Sequence, residues 1–129
     1  MTNKGFRQPT EAELLILKTL LQAAFPGRDE LNTLLKDCDV KTIDNNGSLA
    51  IQTRGNVIAP VLKRIPVEAE AKDEDEVVVH ILLHVVGGKP VELEIFKEDG
   101  SQVQRTPLSS ALESVVLAPV PPSRDNSIN

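Results

Sequence analysis

Between Lys63 and Phe96 the chain alternates as strands do, three times over, and the connections are too short to hold a crossover helix. Val67, Ala69 and Ala71 alternate with Glu68, Glu70 and Lys72, the pattern of a half-buried strand. The acidic turn Asp73-Glu74-Asp75-Glu76 leads to Val77–Val86, apolar on both faces and therefore central. Gly87-Gly88 turns the chain into Val91, Leu93 and Ile95, which alternate with Glu92 and Glu94 before a further turn at Glu98–Ser101. Parallel neighbours would need about a dozen residues or more of connection, so these segments must pair antiparallel.

The flanking sequence fixes the rest of the expected architecture. Thr10 and Glu13 form a capping-box signature after Pro9, and the apolar pattern runs to about Phe25, where Pro26-Gly27 stops it. On a helical wheel Ile16, Leu17, Leu20 and Leu21 lie in an apolar arc wider than half the circumference, with Leu15 as the odd one out. A second, short helix is expected over Asp29–Lys36, buried through Leu31, Leu34 and Leu35. Val40–Ile43 and Ser48–Gln52 flank Asp44-Asn45-Asn46-Gly47, a hairpin turn whose residues tolerate positive φ. Thr53–Leu62 reads as a connection, with Val57 and Ile58 as a possible short strand. A helical turn at Ser109–Leu112, a strand at Val115–Ala118 and a Pro-rich disordered tail over 119–129 complete the reading. The expected class is α+β: residues 1–118 form a single domain, with two N-terminal helices packed on one face of a five- or six-stranded antiparallel sheet.

Register decides which side chains meet. A slip of one residue turns a whole face over. A plain two-residue turn at Gly87-Gly88 would set Leu83 against Glu92, whereas a three-residue loop with one left-handed glycine places Val79, Ile81, Leu83 and Val85 beside Val91, Leu93 and Ile95. The second arrangement is expected, because it gathers one aliphatic face. His80, Leu82, His84, Glu92 and Glu94 then share the opposite face, joined by Glu68 and Glu70.

That opposite face is the candidate binding face: His80, His84, Glu68, Glu92 and Glu94. Imidazoles flanked by carboxylates can bind a metal or exchange protons. His80 and His84 sit roughly 13 Å apart at about 3.3 Å per residue, too far to share one ion held at about 2 Å. His80 with Glu68 or Glu94 is the remaining metal or acid/base set, against the plainer reading of a partly covered face whose glutamates solvate its edges. Gly87-Gly88-Lys89 opens onto Pro90 and a strand, not onto the helix N-terminus a phosphate loop requires. Cys38 follows a helix C-terminus and is expected to be a small core residue. The six carboxylates between Glu68 and Glu76 form a solvated turn or meet a basic partner, with Arg54, Lys63 and Arg64 available to balance them.

Composition narrows function further. A net charge of −5, no Trp, no Tyr and only three Phe argue against nucleic-acid binding, which favours a basic face and stacking rings. One cysteine excludes an internal disulfide and a cysteine-rich zinc site. The first residues hold no apolar signal region, and Gly87-Gly88 cut the longest apolar run short of about 20 residues. The expectations are a cytoplasmic location, no membrane contact, no cofactor and another protein as partner.

The run VVVHILLHVVGGKPVELEIFKEDGS, preceded by PVEAEA and by FRQPTEAELLILKTLL near the start, resembles a small bacterial domain family of unknown function. The resemblance covers roughly residues 6–118. It departs at Phe96, where the family has Tyr, and at Gln102, where Pro is usual. The resemblance implies a single bacterial α+β domain and carries no catalytic residue with it. Two functions stay open: a non-enzymatic binding protein of the immunity or accessory type, and a small metal-dependent or acid/base enzyme using His80 with Glu68 or Glu94.

Overall fold

The computed structural model describes residues 5–105. Helix α1 spans Glu11–Leu20 and α2 spans Arg28–Leu35; five strands follow, β1 Cys38–Thr42, β2 Leu49–Thr53, β3 Val67–Lys72, β4 Val78–Val86 and β5 Lys89–Lys97. The strands form one sheet in the order β1-β2-β5-β4-β3, and each neighbouring pair is antiparallel. The class is therefore α+β. The expected helical turn at Ser109–Leu112, the strand at Val115–Ala118 and the tail over 119–129 lie outside the described residues. No helix among the described residues is long and apolar enough to cross a membrane.

The start of α1 follows its sequence signal. Thr10 Oγ1 accepts from the Glu13 N–H at 3.1 Å, and the Glu13 carboxylate accepts from the Thr10 N–H at 2.8 Å. Glu13 also takes both terminal nitrogens of Arg7, whose backbone pairs with Val40 and so ties the helix start to β1. The helix stops at Leu20, short of the expected Phe25. Phe25 turns into the core instead, and Arg28 Nη1 donates to the Leu21 carbonyl at 2.9 Å, satisfying an acceptor that the helix end leaves free. Leu15, the odd residue of the wheel, is exposed.

The aliphatic side chains gather as the register argument requires. Val67, Ala69, Val79, Ile81, Leu83, Leu93 and Ile95 are each 2% exposed or less, and they share one buried cluster with Ile16, Leu17, Leu20 and Leu31 of the helices. The route to that register differs from expectation. Gly87 and Gly88, at φ 59° and 77°, form a two-residue turn, with Val86 opposite Lys89 and Val85 opposite Pro90. The pairing then shifts by one, so that His84 faces Glu92, Leu83 faces Leu93 and Ile81 faces Ile95. Val91 is the extra residue of this bulge, and it is half-buried rather than set beside Val85. Pro90 explains the site of the shift: it has no N–H to give to the ladder, and bulges tolerate that loss.

The acidic turn departs from a solvated one at its first residue. Asp73 is buried, because Leu93, Ile95 and Lys97 share a parity that turns Lys97 inward, where it is 1% exposed. Lys97 Nζ lies 3.2 Å from Asp73 and 2.6 Å from Asp75. Asp73 also accepts from the backbone N–H groups of Glu74 and Gln104 at 2.8 and 2.6 Å. Arg54 does not serve this turn; it binds Asp37 and Asp39 beside β1. Val57 and Ile58 lie in the connection between β2 and β3 and form no strand.

Candidate functional site

The face opposite the aliphatic core is built by alternation on three strands. Glu68 and Glu70 come from β3, His80, Leu82 and His84 from β4, and Glu92, Glu94 and Phe96 from β5. In the ladder Glu70 stands opposite His80, and Glu92 opposite His84. Side chains so paired have Cβ atoms about 5 Å apart, so register brings these residue types within reach of one another.

The two histidines head separate clusters. Glu68, Glu70 and His80 bring one ligand atom each within 4.8 Å of one another, and so do His84, Glu92 and Glu94. Glu94, expected beside His80, turns to His84: its carboxylate lies 2.7 Å from His84 Nε2. Glu98, just past the end of β5, takes the place at His80, 2.9 Å from Nε2. Phe96 stacks on the His80 ring at 5.1 Å between centroids. On the far side of His84, Arg64 Nε donates to Nδ1 at 3.0 Å. Arg64 is held there by its own backbone, whose carbonyl accepts from the Val85 N–H at 2.7 Å.

The hydrogen-bond partners assign a proton to Nε2 of each ring. A guanidinium N–H only donates, so His84 Nδ1 accepts, and Nε2 carries the proton that goes to Glu94. The Glu98 carboxylate only accepts, so His80 Nε2 donates. His80 Nδ1 then faces Glu70 Oε2 at 3.8 Å, beyond hydrogen-bond distance. A carboxylate that holds an imidazole by one nitrogen while the other stays available is an arrangement that can orient a base or a ligand.

Residues 6–107 match the family model of a domain of unknown function, DUF6984. The chain belongs to that family. No curated protein and no solved structure matches it. The DUF6984 span contains every helix and strand described above, and with them the whole outer face from Arg64 to Glu98.

Three contributors to this face, Phe96, Glu98 and Arg64, were not placed on it by the sequence. Phe96 and Glu98 continue the parity of Glu92 and Glu94, but Glu98 stands beside the turn residues Asp99-Gly100, which mask its place in the alternation. Arg64, expected to balance the acidic run, instead reaches His84 from a connection without periodicity. The nucleophile candidates are elsewhere. Cys38 donates its thiol to the Leu35 carbonyl, and burial pushes the thiol pKa up. Ser48 is buried, and its hydroxyl both donates to the Ile95 carbonyl and accepts from the Ile95 N–H.

Proposed function

We propose that this DUF6984 domain is a non-enzymatic protein-binding module, acting in the cytoplasm in an immunity or accessory role, and that the outer face of β3-β4-β5 receives a basic partner. In this reading α1 and α2 cover the aliphatic face and leave the other side of the sheet for contact. The observation that carries it is the composition of that side. Glu68, Glu70, Glu92, Glu94 and Glu98 frame a strip of His80, Leu82, His84 and Phe96, the last 37% exposed. A partly apolar centre with an aromatic anchor inside a charged rim suits a protein interface, and its sign selects Lys- and Arg-rich partners. The unreactive setting of Cys38 and Ser48 supports the same reading.

The test compares proteins retained by the immobilised chain with those retained by a Glu70→Lys/Glu92→Lys double variant. The expected outcome is retention of basic proteins at about 0.15 M salt, lost in the variant and as added salt shortens the screening length. Retention indifferent to both changes, or of proteins no more basic than the lysate as a whole, would overturn the reading. The alternative, acid/base chemistry by His80 with Glu68, is favoured only by the position of Glu68 within the His80 cluster.

A further inference from the structure

The two imidazole–carboxylate clusters of the outer face differ in what they leave available. At His84 both ring nitrogens are committed, one to Arg64 and one to Glu94, and a guanidinium stands beside the ring. His80 spends only Nε2, on Glu98, and its Nδ1 faces Glu70 Oε2 across 3.8 Å. At 3.8 Å the two atoms make no hydrogen bond to each other, and the space between them is open to a shared ligand. Glu68, two residues from Glu70 on the same side of β3, closes the set to within 4.8 Å.

We infer that Glu68, Glu70 and His80 Nδ1 bind one divalent first-row transition metal ion, with Glu98 as the outer partner that holds the imidazole. The distances admit it. Ligand atoms at about 2.1 Å from one ion can lie up to about 4.2 Å apart, so an ion fits between Nδ1 and Glu70 Oε2, and Glu68 joins by rotating its carboxylate inward. The chemistry fits as well. Two anionic oxygens offset the dication's charge, and the imidazole nitrogen selects Zn²⁺-like ions over Mg²⁺ or Ca²⁺, which take oxygen ligands. Carboxylate–imidazole–metal relays fix the tautomer and raise the ligand's basicity, the role Glu98 fills. His80 keeps 17% of its side chain exposed, so water reaches the open coordination positions. This inference stands apart from the protein-binding reading: either can fail while the other holds.

The experiment uses the full chain without an affinity tag, stripped with chelator and titrated with Zn²⁺ by calorimetry and with Co²⁺ by visible absorption. One ion should bind per chain. His80→Gln and Glu70→Gln should abolish binding, Glu98→Gln should weaken it about 10- to 100-fold, and His84→Gln should leave it unchanged. A measurement on the unaltered chain guards against folding defects: Zn²⁺ should move the Nδ1 nitrogen resonance of His80 and leave that of His84 in place. No binding at about 1 mM Zn²⁺, well above the dissociation constants of built sites, would overturn the assignment. So would binding that survives His80→Gln, or a resonance shift at His84 in place of His80.

Discussion

The turn between β4 and β5 sets the register of the outer face, and replacing its two glycines separately tests the close packing around it. Both residues have positive φ, so alanine at either position meets the same backbone penalty of about 1–2 kcal/mol. Both substitutions also remove chain freedom from the unfolded state, which returns about 0.4–1 kcal/mol. Gly87→Ala should therefore cost about 0–1.6 kcal/mol, since a Cβ there meets nothing within 4 Å. At Gly88 a Cβ would stand 2.3 Å from Ile58 Cγ2, 3.0 Å from Ala59 N and 3.2 Å from Ala59 O. Ile58 is 57% exposed and can swing aside. Ala59 cannot, because its N–H is bonded to the Gly88 carbonyl at 2.9 Å and its side chain is buried. A forced backbone shift adds about 1–3 kcal/mol and the strained hydrogen bond about 0.5–1.5 kcal/mol. Gly88→Ala should thus be about 1.5–4.5 kcal/mol less stable than Gly87→Ala.

With no Trp or Tyr in the chain, the assay is urea unfolding followed by far-ultraviolet circular dichroism. At a slope of about 1–3 kcal/mol per molar urea, the smallest expected difference moves the midpoint by about 0.5 M or more. Adding Ile58→Ala to Gly88→Ala should restore only part of the loss, because the Ala59 backbone remains. Two single variants within about 0.5 kcal/mol of each other would refute the packing argument, and full rescue by Ile58→Ala would place the whole conflict at a flexible side chain.

Two further outcomes follow from the core and from the buried ion network. Ile81→Ala, at a fully buried position of the central strand, should cost about 2–5 kcal/mol, and an unmoved urea midpoint would show the strand misplaced. Burial alone would raise the Asp73 carboxyl pKa, but the Gln104 and Glu74 N–H groups and the Lys97 ammonium outweigh it and hold the value at about 2. The unfolded value is about 3.9, so this stabilisation is complete above about pH 5 and is lost as pH falls through about 2. Acid titration of Asp73→Asn should show a flatter stability profile across that window, and an unchanged slope would remove Asp73 from the account.

The legible parts of this fold are those in which one physical rule acts alone. Thr10 and Glu13 announce a helix start through local hydrogen bonding, and the structure contains both bonds. The even register followed from burial alone: Ile81 had to meet Ile95 rather than Glu94. Its mechanism was hidden because two rules met at one place. The glycine pair favoured a tight turn while the aliphatic pattern demanded an even offset, and only a bulge satisfies both. Pro90 marked where that bulge could sit, yet proline in a strand is equally a sign of an edge.

Lys97 shows a different obstacle. Its parity with Leu93 and Ile95 places it on the buried face, but a charge at the end of a strand usually escapes to water, and pattern reading sends it there. Whether it can stay inside depends on acceptors that arrive from other parts of the chain: Asp73 and Asp75 from the β3–β4 turn, with Gln104 anchoring Asp73 from beyond β5. The same dependence separates the two histidines. Alternation gives His80 and His84 one face and similar glutamate neighbours, so the sequence makes them equivalents. Arg64 breaks that equivalence through a contact 20 residues away, and it leaves His80 as the imidazole with a nitrogen to spare. The site's chemistry therefore rests on a connection whose course follows from no periodicity, only from Val85 donating its N–H to the Arg64 carbonyl.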